Sequence, residues 1–162
     1  MRGRVLRAVS LAAALALLTA GVALADAGGQ GTVTETQQFR NVTFFHDVTN
    51  PCTGQSGTLT ATAKTGIFHV TTTGLHTSVT GTDQGTATFT PDDPTGVSAS
   101  GHYAEHFGAS FNNKNAVERL TSTFNMTGSD GSHIVARETS HIGINANGVI
   151  IVSFDNVDMH CG

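Results

Sequence analysis

Histidines are the residues of this chain best suited to chemistry, and the chain contains eight of them. They are His46, His69, His76, His102, His106, His133, His141 and His160. Imidazole is a common zinc ligand, and a zinc site needs three or four such ligands that converge on one point. The stretch 128-GSDGSHIVARETSHIG-143 places two histidines close to a glutamate and an arginine, which makes it the densest candidate for a metal or catalytic centre.

Strand geometry argues against a metal site in these segments. In an extended 102-HYAEH-106, His102 and His106 share a face but lie about 13 Å apart, which is too far for one ion. His133 and His141 are separated by twice as many residues, and Glu138 faces the opposite side from His141. We therefore expect no metal site and no cofactor, with a site assembled from several strands as the alternative.

Glu105 and Glu138 are the carboxylates expected to lie within strands. If either points into the interior, burial would raise its pKa, whereas pairing with Arg119 or Arg137 would lower it. We favour structural pairing over acid–base catalysis. The chain contains no nucleophile elbow, no glycine-rich phosphate loop and no HExxH sequence, so no catalytic residue is predicted.

Two cysteines are present, Cys52 in 50-NPCTG-54 and Cys161 in 159-MHCG-162. In an oxidising compartment two such residues normally pair, so we predict a Cys52–Cys161 disulfide. The alternative is a reactive thiol, which needs a basic neighbour to lower its pKa, and only His160 is near enough in sequence to act as one.

Alternation of apolar and polar residues predicts that β-strands position these groups. The segments 58-TLTATA-63 and 66-GIFHVTTT-73 both alternate, as a half-buried strand does. The run 76-HTSVTGTDQGTATFT-90 predicts one long strand, bent at its glycines. One face of this strand would carry Val79, Gly81, Asp83, Gly85, Ala87 and Phe89, which suits a sharply curved sheet because glycine relieves crowding at bends. Further strands are expected at about 32–40, 42–48, 97–107, 116–127, 132–144 and 149–155.

The turns between these strands indicate an antiparallel, all-β fold. The segments 128-GSDG-131 and 145-NANG-148 have the composition of hairpin turns, and no helix is predicted after residue 25. About eight antiparallel strands predict a single closed β-barrel, with a two-layer β-sandwich as the alternative. In the strand at 132–144 both faces are mixed, so the sequence does not decide which of them is interior.

The first 25 residues have the order of a secretory signal peptide. Arg2, Arg4 and Arg7 precede a short apolar segment, and 23-ALA-25 fits the small-x-small cleavage rule. We predict cleavage between Ala25 and Asp26, with cleavage after Ala27 or an uncleaved anchor as alternatives. The remaining 26–162 would form one secreted domain with no inserted membrane segment.

The charge of the predicted mature chain excludes two classes of partner. Cleavage removes three of the eight basic residues and none of the twelve acidic ones, which leaves five basic residues against twelve acidic ones. So acidic a chain lacks the basic surface of a nucleic-acid-binding protein. It also lacks a polybasic segment for anionic membranes.

Several motifs, in their order and spacing, resemble a group of small, uncharacterised secreted proteins of high-GC Gram-positive bacteria. The matching segments are 50-NPCTG-54, 68-FHVT-71, 90-TPDDP-94, 128-GSDGS-132, 138-ETSH-141 and 153-SFDNVDMHCG-162. The resemblance covers nearly all of 26–162. It implies a β-barrel similar to those of lipocalins or allene oxide cyclase, and it implies no established activity.

Three functions are compatible with such a barrel. The leading hypothesis is binding of a small apolar ligand or a surface partner, with Phe68, Phe89, Phe107 and Phe124 lining the cavity. The second is a cyclase- or isomerase-type enzyme that uses an interior Glu or His with Tyr103. The third is a structural cell-envelope protein without a ligand. A buried Glu–His pair in a cavity would favour the enzyme, and a filled interior would favour the structural role.

Overall fold

A computed structural model describes residues 31–112 and 114–162. The predicted signal peptide and its cleavage site at Ala25 and Asp26 lie outside the described residues. Every regular element in the described part is a strand, as the alternation predicts. The strands are β1 (Thr32–Phe39), β2 (Val42–Thr49), β3 (Ser56–Thr73), β4 (His76–Pro91), β5 (Ala99–Phe111), β6 (Asn115–Gly128), β7 (His133–Asn145) and β8 (Ile150–Cys161).

The eight strands form one antiparallel sheet that is not closed into a barrel. From β3 to β8 each strand pairs with the next one along the chain, whereas β1 and β2 both pair with β3. Strand β1 covers one half of β3 and β2 the other half, so this edge of the sheet is divided between two short strands. The prediction of a closed barrel is therefore wrong, because no single strand runs along this edge to pair with β8. The sandwich alternative is also wrong, since all eight strands belong to one sheet.

The sheet nevertheless curls, so that its inner face encloses the core. Phe44 and Val48 of β2 pack against a buried cluster that includes Phe124 of β6 and Ile134 of β7. Val48 of β2 also lines one pocket together with Val157 and Met159 of β8, at the far end of the sheet order, so the two edges must bend toward each other. The inner face is therefore concave and largely buried, and the outer face is exposed.

A disulfide joins the two edges of the sheet. The Cα atoms of Cys52, in the turn after β2, and Cys161, at the end of β8, lie 5.7 Å apart in a bridged pair. The predicted bridge is thus present. It connects β2 and β8 covalently at a place where a closed barrel would have a ladder of backbone hydrogen bonds.

The glycine-bearing face of β4 is the inner face of the sheet. Val79, Asp83, Ala87 and Phe89 are buried at alternating positions. The two predicted strands at 58–63 and 66–73 are one strand, β3, with an irregularity between Ala63 and Thr65. Gly85 pairs with Ala63 there, and a Cβ at Gly85 would collide with the carbonyl oxygen of Thr62.

The predicted turns are also present, and they fix the inner face of β7. The segments 128–131 and 145–148 are each closed by a backbone hydrogen bond between their first and last residues. On β7, Ile134 and Glu138 are buried while Arg137 is exposed, so the even-numbered residues of this strand face inward. None of the described residues forms a helix long and apolar enough to span a bilayer.

Candidate functional site

A row of polar side chains crosses the inner face of the sheet. Strand register places Asp83 of β4 opposite Glu105 of β5, Glu105 opposite Ser122 of β6, and Ser122 opposite Glu138 of β7. Paired residues on neighbouring strands point to the same face of a sheet. These four residues, here called the carboxylate row, therefore present three acidic groups side by side in the interior.

The carboxylate row separates two apolar clusters. The larger cluster, toward the disulfide end, includes Leu59, Phe89 and Met126, and the smaller consists of Phe68, Val70 and Val79 with partly buried neighbours. Charged groups in such a place are expensive to bury unless they are paired. The carboxylate row is therefore expected to destabilise the fold unless hydrogen bonds or a ligand compensate for the lost hydration.

Two hydrogen bonds satisfy part of the carboxylate row. The hydroxyl of Tyr103 donates to Oδ2 of Asp83 at 2.8 Å, and the hydroxyl of the fully buried Ser122 donates to Oε2 of Glu105 at 2.9 Å. Tyr103 lies on β5 two residues before Glu105, so both groups reach the same face of the sheet.

Among the side chains of residues 31–112 and 114–162, three buried polar atoms have no hydrogen-bond partner. They are Oδ1 of Asp83, Oε2 of Glu138 and Nδ2 of Asn50. Asp83 is 7% exposed, Glu138 5% and Asn50 3%. Each such atom costs about 1–3 kcal/mol when it is left unpaired. Buried polar groups are nearly always paired in native proteins, so these atoms mark the places where a ligand would find open hydrogen-bonding positions.

Burial raises the pKa of all three carboxyls. Loss of hydration raises the pKa of Glu105 to about 7, and the negative charge of Asp83 adds to this effect. Loss of hydration raises the pKa of Glu138 to about 7 as well, with a smaller contribution from Asp155. The pKa of Asp83 is also raised by burial, although the hydrogen bond from Tyr103 opposes the shift. Glu105 and Glu138 are therefore partly protonated near neutral pH, where an exposed glutamate is ionised.

In the part of the chain that the structure describes, no arginine forms an ion pair with these carboxyls. Glu118, Glu138 and Asp155 all occupy inward-facing register positions, as do Glu35, Asp83 and Glu105. Arg119 and Arg137 occupy outward-facing positions. Structural pairing of the two glutamates with Arg119 or Arg137 was predicted and is wrong, because one residue of offset along a strand reverses the face.

His46 lies in the interior close to the carboxylate row. Strand β2 pairs Phe44 with Ala61 and His46 with Leu59, which directs both side chains inward. Burial lowers the pKa of His46, while the neighbouring Asp47 opposes that shift. This imidazole is the one potentially basic side chain at an inward-facing strand position among residues 31–112 and 114–162.

Two adjoining interior pockets lie beside the carboxylate row. A polar pocket of about 20 Å³ is lined by Phe44, His46, Leu59, Ala61, Asp83, Tyr103, Glu105 and Phe124. An apolar pocket of about 70 Å³ is lined by Val48, Thr49, Asn50, Pro51, Leu59, Phe89, Phe124, Met126, Ile134, Ala136, Glu138, Val157 and Met159. Leu59 and Phe124 line both pockets, so the two are neighbours in one interior space.

A wider groove of about 430 Å³ lies across β1, β3, β4 and β5. Most of its lining residues occupy outward-facing register positions, among them Ile67, Thr82 and His106. It is mainly a feature of the outer surface, but Asp83 and Glu105 line both this groove and the polar pocket, and the exposed Arg40 lines the groove as well.

The four phenylalanines expected in one cavity are divided between two places. Phe89 and Phe124 line the apolar pocket. Phe68 is buried in the smaller apolar cluster, and Phe107 packs against that cluster. The carboxylate row lies between these two groups of aromatic rings.

The histidines are scattered. His102 and His106 face outward on β5, and His133 and His141 face outward on β7, where His141 stacks on Phe154. Within the described part of the chain, no group of three or more His, Cys, Asp and Glu side chains is placed to hold a metal ion.

No protein-family model, no curated protein and no solved structure matches this chain.

Sequence reasoning missed two residues of the site. Asp83 shares the glycine-bearing face of β4, but the sequence alone does not identify that face as interior or Asp83 as a functional group. His46 was grouped with the other histidines, although the alternation of Val42, Phe44, His46 and Val48 predicts that they share one face. That pattern was the available signal, and the structure places this face inward.

Proposed function

We propose that this chain is an exported protein that binds a small, largely apolar ligand in the pocket between β2 and β8. The observation that carries the proposal is the composition of the apolar pocket. Ten of its lining residues are apolar, and Asn50 and Glu138, each of which has a buried polar atom without a partner, also line it. Mostly apolar walls with a few polar groups are typical of small-molecule sites.

Export is supported by two independent features. Residues 1–25 have the order of a signal peptide, and the Cys52–Cys161 bridge is the kind of link that persists in an oxidising compartment. The curled eight-stranded sheet supports the binding role, because its inner face leaves the two adjoining pockets.

Ligand binding is testable through the two methionines of the pocket. The chain has three methionines, and Met126 and Met159, the two after residue 25, both line the apolar pocket. Titration with hexanol is expected to shift both methionine methyl signals in the NMR spectrum of protein labelled with ¹³C at those methyls. Ala136→Leu should fill the pocket and weaken binding by about tenfold or more.

The control for Ala136→Leu is Thr123→Leu. Thr123 lies on β6 at an exposed, outward-facing position, so this change adds a similar side chain outside the pocket. It should leave hexanol binding unchanged. Unshifted methyl signals in the wild-type protein, or equal weakening by the two substitutions, would contradict the binding site.

A second candidate function is proton-transfer catalysis of the isomerase or cyclase kind. The observation that favours it is the polar pocket, where Glu105 with its pKa of about 7 lies beside Tyr103 and His46. A general acid or base works best when its pKa lies near the working pH. A structural envelope role has less support, because the interior keeps two adjoining pockets.

Deuterium incorporation distinguishes catalysis from binding. A ligand recovered from the wild-type protein in D₂O should carry deuterium at carbon if Glu105 transfers protons, and the same ligand recovered from Glu105→Gln should not. Binding alone predicts an unlabelled ligand from both proteins. The measurement is mass spectrometry of the extracted ligand.

A further inference from the structure

The charges of the inner face have one sign. Four buried or half-buried inward-facing positions carry a carboxyl, namely Asp83, Glu105, Glu118 and Glu138, whereas Glu35 and Asp155 face the same way but are exposed. The strand arginines Arg119 and Arg137 face outward, and Lys64 is exposed at the irregularity of β3. Negative potential is strengthened in a cleft with walls of low dielectric constant. The interior therefore attracts cations and repels anions.

Unpartnered acceptors add a second, independent observation. Asp83 is more than nine-tenths buried and lines the polar pocket, yet its Oδ1 accepts no hydrogen bond. Glu138 is equally buried and lines the apolar pocket, and its Oε2 is also without a donor. A ligand with N–H donors would satisfy these free acceptors, and a positive charge on the same ligand would complement the acidic interior.

The polar pocket has the size of one such group. Its volume of about 20 Å³ is enough for one water-sized group. A protonated amine is of that size and has three N–H donors. Asp83 and Glu105 lie opposite each other on adjacent strands at this pocket. Leu59 and Phe124 connect it with the apolar pocket, which would take the apolar body of the same molecule.

We propose that the ligand is a small primary amine with an apolar body, bound as its ammonium ion between Asp83 and Glu105. This inference rests on the binding function proposed above and adds the chemical class of the ligand. The ammonium donates to Oδ1 of Asp83 and to Glu105. The apolar body lies against Leu59 and Phe124 and extends toward Met126. Glu138 adds negative potential from two strands away, about 10 Å at ordinary strand spacing.

The test compares three probes of equal chain length: hexylamine, hexanol and hexanoate. Binding is measured by isothermal titration calorimetry at pH 8, where an alkylamine is protonated in the way a lysine side chain is. Hexylamine is expected to bind at least tenfold more tightly than hexanol, and hexanoate more weakly than either. Hexyltrimethylammonium, which has the charge without the N–H donors, should bind more weakly than hexylamine.

Two substitutions locate the ammonium ion. Glu105→Gln removes one charge but keeps an acceptor for Ser122, and it should weaken hexylamine binding about tenfold while leaving hexanol binding unchanged. Asp83→Asn should act in the same direction. Glu35→Gln is the control, because it removes a carboxylate from an exposed position of β1 far along the sheet from the pocket. It should change the affinity for neither probe.

The possible results separate this inference from the proposed function. Hexanol binding with no preference for hexylamine would overturn the amine and leave the binding function standing. Equal weakening of hexylamine binding by Glu35→Gln and Glu105→Gln would also overturn it, because the effect would then come from net charge alone. Binding of none of the probes would overturn both.

Discussion

Replacing both Cys52 and Cys161 with serine is expected to lower the free energy of unfolding by about 4–5 kcal/mol. The bridge joins residues 109 apart in sequence, and release of so long a loop increases the entropy of the unfolded chain by about that amount. For a chain of this size the melting temperature should fall by about 10–20 °C. The measurement is a thermal melt of the double variant beside the wild-type protein.

The same double substitution should have a local effect that loop entropy alone does not predict. Among the described residues, the sheet pairs β8 only with β7, and β2 only with β3. The bridge is the covalent link between these two edges, and Val157 and Met159 of β8 line the pocket that lies between them. Amide hydrogen exchange should therefore increase much more in β8 than in the central strand β5.

Reduction of the wild-type protein provides the control for these effects. A reducing agent should reproduce the lower melting temperature in the wild-type protein and leave the double serine variant unchanged. An unchanged melting temperature, or a uniform increase of exchange in all strands, would contradict the role of the bridge as the link between the edges.

Local pattern was sufficient to predict the strands and several of their faces. Threonine-rich alternation located the long strand β4, and the same period of two placed Asp83 and Phe89 on one face, which the structure shows to be the inner one. Turn composition located the connections before and after β7 in the same way. These features depend on residues that are close in sequence, and for that reason sequence alone predicts them.

The closure of the sheet and the identity of its interior could not be predicted in this way. Whether the two edges of the sheet pair depends on how β1 and β2 share the edge of β3. These pairings join segments that are distant in sequence. On β7 the face of Glu138 and the face of Arg137 are equally mixed in polarity. Only the packing of neighbouring strands decides that Glu138 is buried, and this outcome runs against the usual exposure of glutamate.

Buried acidic groups of this kind reduce stability. A fold selected for stability alone would place apolar residues in the carboxylate row, since well-packed apolar residues in place of buried charges are often neutral or stabilising. Perturbed carboxyls in an enclosed space are more typical of functional sites. The destabilising effect of this row is measurable, and its dependence on pH has a definite sign.

Glu138→Gln is expected to stabilise the protein by about 2 kcal/mol at pH 8 and to have little effect at pH 5. The pKa of Glu138 is about 7 in the folded protein and about 4.5 in the unfolded chain. Between these values the folded state holds a proton that the unfolded state has lost. The stability contributed by this group is therefore fully present below pH 4.5, declines as the pH rises to about 7, and is absent above it.

The difference between Glu138→Gln and the wild-type protein isolates this group from the others. Burial lowers the pKa of His46, which makes that residue favour folding as the pH rises toward 6.5, but its contribution is common to both proteins. Urea unfolding from pH 4.5 to pH 8.5 should give two stability curves that are closest at pH 4.5, separate steadily as the pH rises, and keep a constant difference above about pH 7. Glu35→Gln, at an exposed position, should follow the wild-type curve throughout. If Glu138→Gln were less stable than the wild-type protein at pH 8, Glu138 would be a paired, stabilising carboxylate. Its Oε2 would then not be an open hydrogen-bonding position for a ligand.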